Sequence, residues 1–265
     1  MTPQLFSITL GSGSIVTAAI HDGHAIRREV ADLFALDEEI LLREKDPYTA
    51  ELAEVSDTRI IGLRSRFEVD LNRPRDQAMY LTEENSWGLK VWEEPPPAGA
   101  IKRSLDEYDE FYRAVESTLE TVYELYGPFV VLDIHSYNHR RGGPDAEPAP
   151  AEENPEINIG TGSMDRERWG TVVDRFLSDL RDFDFQGRSL DVRENVKFRG
   201  GYFSQWIHER FPRTGCAIAI EFKKTFMDEW TGELNRPVFD ALKEALRSTL
   251  PGLRETLEEP QVSRV

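Results

Sequence analysis

Cysteine is almost absent. The single Cys216 among 265 residues excludes an internal disulfide and a thiolate metal cluster within one chain. It lies in an apolar run, which points to a buried, inert thiol. Long hydrophobic stretches are missing too: the longest runs, PFVVLDI (128–134) and CAIAIEF (216–222), are strand-sized. A membrane span needs roughly 20 apolar residues. The opening MTPQLFSITLGSGS has no basic region leading into an apolar core, so no signal peptide is expected. Lysine is scarce beside arginine, and 49 acidic residues against 32 basic ones leave a net charge of −17. A surface of that sign repels nucleic-acid backbones and anionic membranes, so neither is an expected partner. The expected setting is the cytoplasm. No His-Glu-x-x-His helix and no Gly-x-Ser-x-Gly elbow occurs, which argues against the zinc peptidases and serine hydrolases built on those motifs.

What remains is ample for a core: 39% of residues are hydrophobic and 10% aromatic. LFSITL (5–10) and IVTAAIH (15–21) read as strands around a Gly/Ser turn, and TRIIGL (58–63) and FEVDL (67–71) are also strand-like. Ile26, Val30, Leu33 and Phe34 repeat at helical spacing before the polar REKDPYT (43–49) interrupts. Residues 74–103, with Pro95-Pro96-Pro97, read as a long loop. A helix is expected over 105–126, with Ser104 and Glu107 as a capping box and Gly127-Pro128 as the stop. PFVVLDI follows as a strand covered on both faces. Residues 140–156 read as a mobile loop, 165–182 and 237–250 as helices, and CAIAIEF as another strand. Helices and strands alternate throughout, so a single α/β domain spanning 1–265 is expected.

Polar residues follow apolar strands at three places, where open α/β sheets present ligands: His21 after VTAAI, His135-Ser136 after VVLDI, and Glu221 after CAIAI. A catalytic zinc needs two or three imidazoles, usually a carboxylate, and an open position for water. It brings the pKa of that water toward about 7. A further carboxylate must take the proton and return it to the leaving amine. His21 and His135 can serve as ligands, an acidic residue of REKDPYT as the third, and Glu221 as the base. Asp133, two positions before His135 on the strand, lies on the same face and can orient an imidazole. SRFEVDLNRP (65–74) gathers Arg66, Asp70, Asn72 and Arg73. Two guanidinium groups beside an amide can bind a substrate carboxylate, while an Asp70–arginine salt bridge is the plainer reading. For Glu221 the plainer reading is an ion pair with Lys223 or Lys224. His139 and His208 are expected at the surface or in packing, and Tyr202 is a packing residue or a donor to a developing oxyanion.

SRFEVDLNRP, DIHS, FRGGYFSQW and AIAIEFKKTFMDE, in that order, resemble the N-formylglutamate amidohydrolase family. IHDG (20–23) is similar to its early His-bearing element, and DPYTAELA (46–53) to its Asp-led segment. The likeness covers about residues 20–233. It implies a three-layer α/β/α fold with a central mixed sheet, also seen in zinc carboxypeptidases and aspartoacylases. It further implies hydrolysis of a small carboxylate-bearing amide such as N-formylglutamate. The cofactor implied is one divalent metal, Zn, held by His21, Asp46 and His135, with Glu44 in reserve for Asp46. Asn72-Arg73, with Arg66 nearby, would hold the substrate carboxylate, and Glu221 would be the general base. His24, three residues past His21, is a competing ligand through its His-x-x-His spacing. A carboxypeptidase-like peptidase and a non-catalytic metal- or metabolite-binding protein are the competing functions.

Overall fold

The computed structural model describes residues 3–258. Seven strands form one mixed sheet: β1 (Phe6–Thr9), β2 (Ile15–Ala19), β3 (Thr58–Gly62), β4 (Phe129–Tyr137), β5 (Ile157–Gly160), β6 (Val192–Glu194) and β7 (Gly215–Lys223). Their order is β1-β3-β2-β4-β7-β5-β6. β3, β2, β4 and β7 run parallel, and so do β5 and β6; β1 joins β3, and β5 joins β7, antiparallel. The helices are α1 (Arg28–Ala31), α2 (Glu38–Glu44), α3 (Thr49–Leu52), α4 (Ala98–Tyr126), α5 (Arg166–Asp182), α6 (Tyr202–Arg210), α7 (Arg236–Ser248) and α8 (Leu250–Glu258).

The period-2 alternation of the central strands divides the core into two layers. Val130, Leu132 and Ile134 of β4 join Cys216, Ile218 and Ile220 of β7 against α5, α7 and α8. Phe129 and Val131 join Ala217 on the opposite face, against α4 and α6. This is the expected α/β/α sandwich. The apolar runs are continuous because both faces of these strands are covered. On the α4/α6 face the alternation continues from Val131 to Asp133 and His135, and from Ala217 to Glu221.

The sheet departs from expectation at its far edge. β5 and β6 have little sequence signal, being short, and β6 is largely polar. Asn158, fully buried in β5, accepts hydrogen bonds from the backbone of Val196, Lys197 and Phe198 and so shapes the loop beyond β6. FEVDL is not a strand but a turn and extended segment. Its alternation is deceptive, because Glu68 and Asp70 are as buried as Phe67, Val69 and Leu71. Glu68 is consumed by ion pairs with Arg27 and Arg64. The predicted capping box also fails. α4 starts after Pro97, Ser104 accepts from buried Arg27, and Glu107 pairs with Arg64. Three consecutive prolines end in a residue whose fixed φ suits a helix start. The 74–103 stretch is more than a loop, since Met79, Tyr80, Val91 and Trp92 pack on Val30, Leu36 and Phe67.

His208 of α6 completes the sheet where β5 ends. β5 pairs with β7 only as far as Gly160–Ala219. Two residues earlier, the His208 imidazole takes the neighbouring strand's place, with Nε2 3.0 Å from the Ala217 nitrogen and Nδ1 2.8 Å from Ser163 Oγ. The neutral ring can accept from Ala217 N–H and donate to Ser163, and burial pushes its pKa from 6.5 down to about 4. A depressed histidine pKa favours the folded state above 6.5, and the contribution is lost as the pH falls toward 4. We predict that the stability margin of wild type over His208→Gln shrinks by roughly 3 kcal/mol between pH 7 and pH 4 in denaturant titrations. A margin independent of pH would contradict this reading.

Candidate functional site

His21 follows β2, His135 lies near the end of β4, and Asp46 lies between α2 and α3. Parallel pairing of β2 with β4 brings the two imidazoles together, their ring centroids 4.9 Å apart. Asp46 reaches them because its backbone N–H donates to the His21 carbonyl at 3.1 Å. Asp46 Oδ2 lies 3.5 Å from His21 Nδ1 and 3.0 Å from His135 Nδ1. The three donor atoms lie within 4.8 Å of one another, and all three residues are buried.

The far nitrogens are already engaged. His21 Nε2 is 2.7 Å from Asp70 Oδ1, and His135 Nε2 is 2.9 Å from Asp133 Oδ1. Asp70 also accepts from the Tyr80 hydroxyl, from Arg66 at 2.9 Å and from the Asn72 N–H at 2.7 Å. Asp133 Oδ2 accepts from Ser204 Oγ of α6 at 2.8 Å. Each imidazole that donates from Nε2 to its aspartate turns the Nδ1 lone pair toward Asp46. Two nitrogens and one carboxylate oxygen, with outer carboxylates fixing both rings, form a donor set suited to a divalent transition metal. The residues present therefore fit such a cation.

The electrostatics agree. Burial opposes ionisation of Asp46, but hydrogen bonds from His135 and His21 hold its carboxyl well below the usual range. Burial also presses His135 toward neutrality, yet Asp133 and Asp46 hold its imidazole well above the ordinary value. Glu221 pairs in register with His135 across the β4–β7 ladder. Burial, reinforced by Asp46 and Asp133, pushes its carboxyl up to about 8 against the opposing pull of His135. The charges that weigh most on it are His135, Asp46, Asp133 and Arg66. Among the described residues it forms no ion pair with Lys223 or Lys224, and the Lys224 ammonium is bound elsewhere.

His21, Asp46, Arg66, Asn72, Arg73, His135 and Glu221 all line one cavity of about 540 Å³. The segment carrying Asn72 and Arg73 is pinned by α4, where Tyr112 donates to the Leu71 carbonyl and Tyr108 to the Arg73 carbonyl, both at 2.7 Å. Arg73 has no carboxylate partner among the described residues. Its guanidinium lies 5.5 Å from the Tyr80 ring centroid and 5.6 Å from that of Trp87. Arg66, by contrast, is tied to Asp70. Asn72 Oδ1 accepts from the Phe203 N–H at the start of α6. A side chain at position 201 would collide with that amide, its Cβ falling 2.3 Å from Nδ2, and Gly200 sits at φ +99°. Gly201 is thus required for the close approach to Asn72, and Gly200 for its left-handed backbone.

The other candidates lie outside the donor cluster. His24 is exposed and stands outside the donor cluster. Glu44 lines the cavity but faces Arg141 at 3.4 Å, also outside the cluster. Tyr202 packs on Tyr112. His139 is buried, with its backbone N–H donating to Glu229. Sequence reasoning missed the pairing of Asp70 with His21, which lie 49 positions apart. The aspartate's place beside Arg66 was the only signal, and it suggested a salt bridge alone.

Residues 13–227 match the model of the N-formylglutamate amidohydrolase family. The chain belongs to that family. None of the curated proteins compared with it matches. Among solved structures it is similar to an N-formylglutamate amidohydrolase from Ralstonia eutropha JMP134, with a TM-score of 0.73 and 18% identity, over 95% of this chain and 97% of that one. It is also similar to a gene product from Agrobacterium tumefaciens, with a TM-score of 0.66 and 18% identity, over 95% and 96% of the two chains. A metallo-carboxypeptidase from Burkholderia cenocepacia aligns more loosely, with a TM-score of 0.38 and 16% identity, over 93% of this chain and 58% of that one. The first two likenesses show a shared fold. Among the described residues, no helix is long and apolar enough to cross a membrane.

The geometry leads to a metal-binding prediction. Wild type should take up one equivalent of Zn²⁺ or Co²⁺ by dialysis and elemental analysis, His21→Ala and His135→Ala should fall to background with their circular dichroism intact, and His24→Ala should keep its metal. Full occupancy in both of the first two variants would dismantle the site.

Proposed function

We propose that this chain hydrolyses the amide bond of a small N-acyl amino acid bearing a carboxylate, with N-formylglutamate the first substrate to test. A divalent metal, zinc by preference, would be held by His21, Asp46 and His135. The observation that carries the reading is the convergence of His21 Nδ1, His135 Nδ1 and Asp46 Oδ2 in a cavity that also holds Glu221 and the unpaired Arg73. Membership of the family supports the substrate class. A cytoplasmic setting belongs to the same proposal, since the single thiol, Cys216, is buried and unbridged.

When bound, the metal would supply a Lewis acid that polarises the scissile carbonyl and makes the attacking water more acidic. Everything else falls to the chain. Arg73 holds the substrate carboxylate by charge-assisted hydrogen bonds, its plane steadied by Tyr80 and Trp87. Glu221, which a divalent cation at the neighbouring ligands would favour in its ionised form, takes a proton from the water as the water oxygen bonds to the acyl carbon. The carboxyl then delivers that proton to the departing nitrogen as the carbon–nitrogen bond breaks, releasing a carboxylic acid and an amine. Asp70 and Asp133 keep the imidazoles from turning. A cavity of about 540 Å³ suits a ligand of this size. Its lining also includes Arg43, Arg141, Lys197 and Arg199, a cationic contribution in a chain whose net charge is −17. Such a lining draws in anionic substrates.

Two variants separate binding from chemistry. Glu221→Gln keeps the shape but cannot carry the proton, so kcat should fall by roughly 10²–10⁴ with metal content unchanged. An active variant would remove the proposed base, and a metal-free one would make Glu221 a ligand. Arg73→Ala should raise KM by about 10- to 150-fold, with wild-type metal content. Equal discrimination by wild type and variant between the substrate and its carboxamide analogue would reduce Arg73 to a structural role.

A further inference from the structure

Lys224 is 1% exposed, although it carries an ammonium group. Burying such a group costs several kcal/mol unless its hydrogen bonds are met. Here all three donors are spent: Nζ lies 2.7 Å from the Arg43 carbonyl, 2.8 Å from the Lys45 carbonyl and 2.8 Å from Asn138 Oδ1. Asn138 closes the arrangement, its Nδ2 donating to the same Arg43 carbonyl at 2.9 Å. Three acceptors around one nitrogen require the –NH₃⁺ form.

The acceptors have a structural meaning. α2 ends at Glu44 with Lys45 as its C-cap, so the two carbonyls belong to the unsatisfied end of that helix. A cation there also meets the negative end of the helix dipole. The next residue is Asp46. Asn138 follows β4, three residues past His135, and Lys224 follows β7, three residues past Glu221. The Lys224 N–H donates to the Tyr137 carbonyl at 3.0 Å, which extends the β4–β7 ladder by one more link. One ammonium thus joins the three segments that carry Asp46, His135 and Glu221.

We infer that Lys224 is a positioning residue for the metal centre, which fixes the end of α2 so that Asp46 meets the two imidazoles. The role acts through Asp46, and the inference rests on the metal reading above. A hydrophobic residue in its place would leave the Lys45 carbonyl and Asn138 Oδ1 without their donor, with Asn138 Nδ2 alone on the Arg43 carbonyl, and Asp46 free to move with the helix end. His21 and His135 would keep their own aspartates, so the rings would stay in place while the carboxylate ligand was lost or misaligned.

The test is Co²⁺ titration of the metal-free full-length chain, wild type against Lys224→Met, followed by the visible ligand-field spectrum and by competition with a chelator. Loss of an outer partner of a metal ligand commonly lowers affinity by about 10- to 100-fold, and that drop is expected here with circular dichroism preserved. The Lys224→Met spectrum should move toward that of Asp46→Ala. A role confined to stability would lower Tm but leave Co²⁺ affinity and spectrum at wild-type values, and that result would overturn the inference. If Lys224→Met does not fold, Asn138→Ala decides. It removes one of the three acceptors, should weaken Co²⁺ binding severalfold, and overturns the inference if it does not. A wild type that takes up no Co²⁺ would instead remove the metal reading itself.

Discussion

Two imidazoles are held between buried carboxylates, and much of the molecule serves that arrangement. Asp46, Asp70 and Asp133 are each at most 4% exposed and all point at His21 or His135. Ionised carboxylates withdrawn from water cost several kcal/mol each unless positive charge is brought to them. Arg66 offsets one through Asp70. Neutral imidazoles supply hydrogen bonds but no charge. The balance left is two negative charges, the complement of one divalent cation. The same carboxylates hold the His135 imidazole well above its ordinary value.

The sheet delivers this arrangement by register. Asp133 and His135 share a face because strands alternate with period two, and His135 stands beside Glu221 because β4 and β7 pair in parallel without a slip. A shift of one residue along either strand would turn a functional side chain into the apolar layer beneath α5 and α7. The opposite wall depends on α4, whose tyrosines present hydroxyls as well as rings. Tyr108 and Tyr112 hold the backbone that carries Asn72 and Arg73. Rigid elements thus carry His135 and Glu221, while a loop pinned at several points carries Arg73.

How much of this could be read from the sequence depended on how local each signal was. β4 and β7 declare themselves as apolar runs, and the polar residues at their ends are visible in the same few positions. Spacing alone puts Asp133 on the same face as His135; the 2.9 Å contact between them comes from the folded strand. Asp70 reaches His21 across 49 residues, so its local neighbour Arg66 suggested only a salt bridge. FEVDL imitated a strand because its charged positions are buried by ion pairs that come from elsewhere in the chain. Ser104 and Glu107 imitated a cap because distant Arg27 and Arg64 recruit them. Lys224 looked like a counter-ion for Glu221; only the tertiary fold turns it toward the end of α2.

Diffraction from zinc-loaded crystals on either side of the zinc absorption edge would locate the ion directly. One anomalous peak per chain is expected at roughly 2.0–2.2 Å from His21 Nδ1, His135 Nδ1 and Asp46 Oδ2, with both Nε2 atoms still on Asp70 and Asp133. A peak bound through either Nε2, or one that leaves Asp46 uncoordinated, would contradict this arrangement.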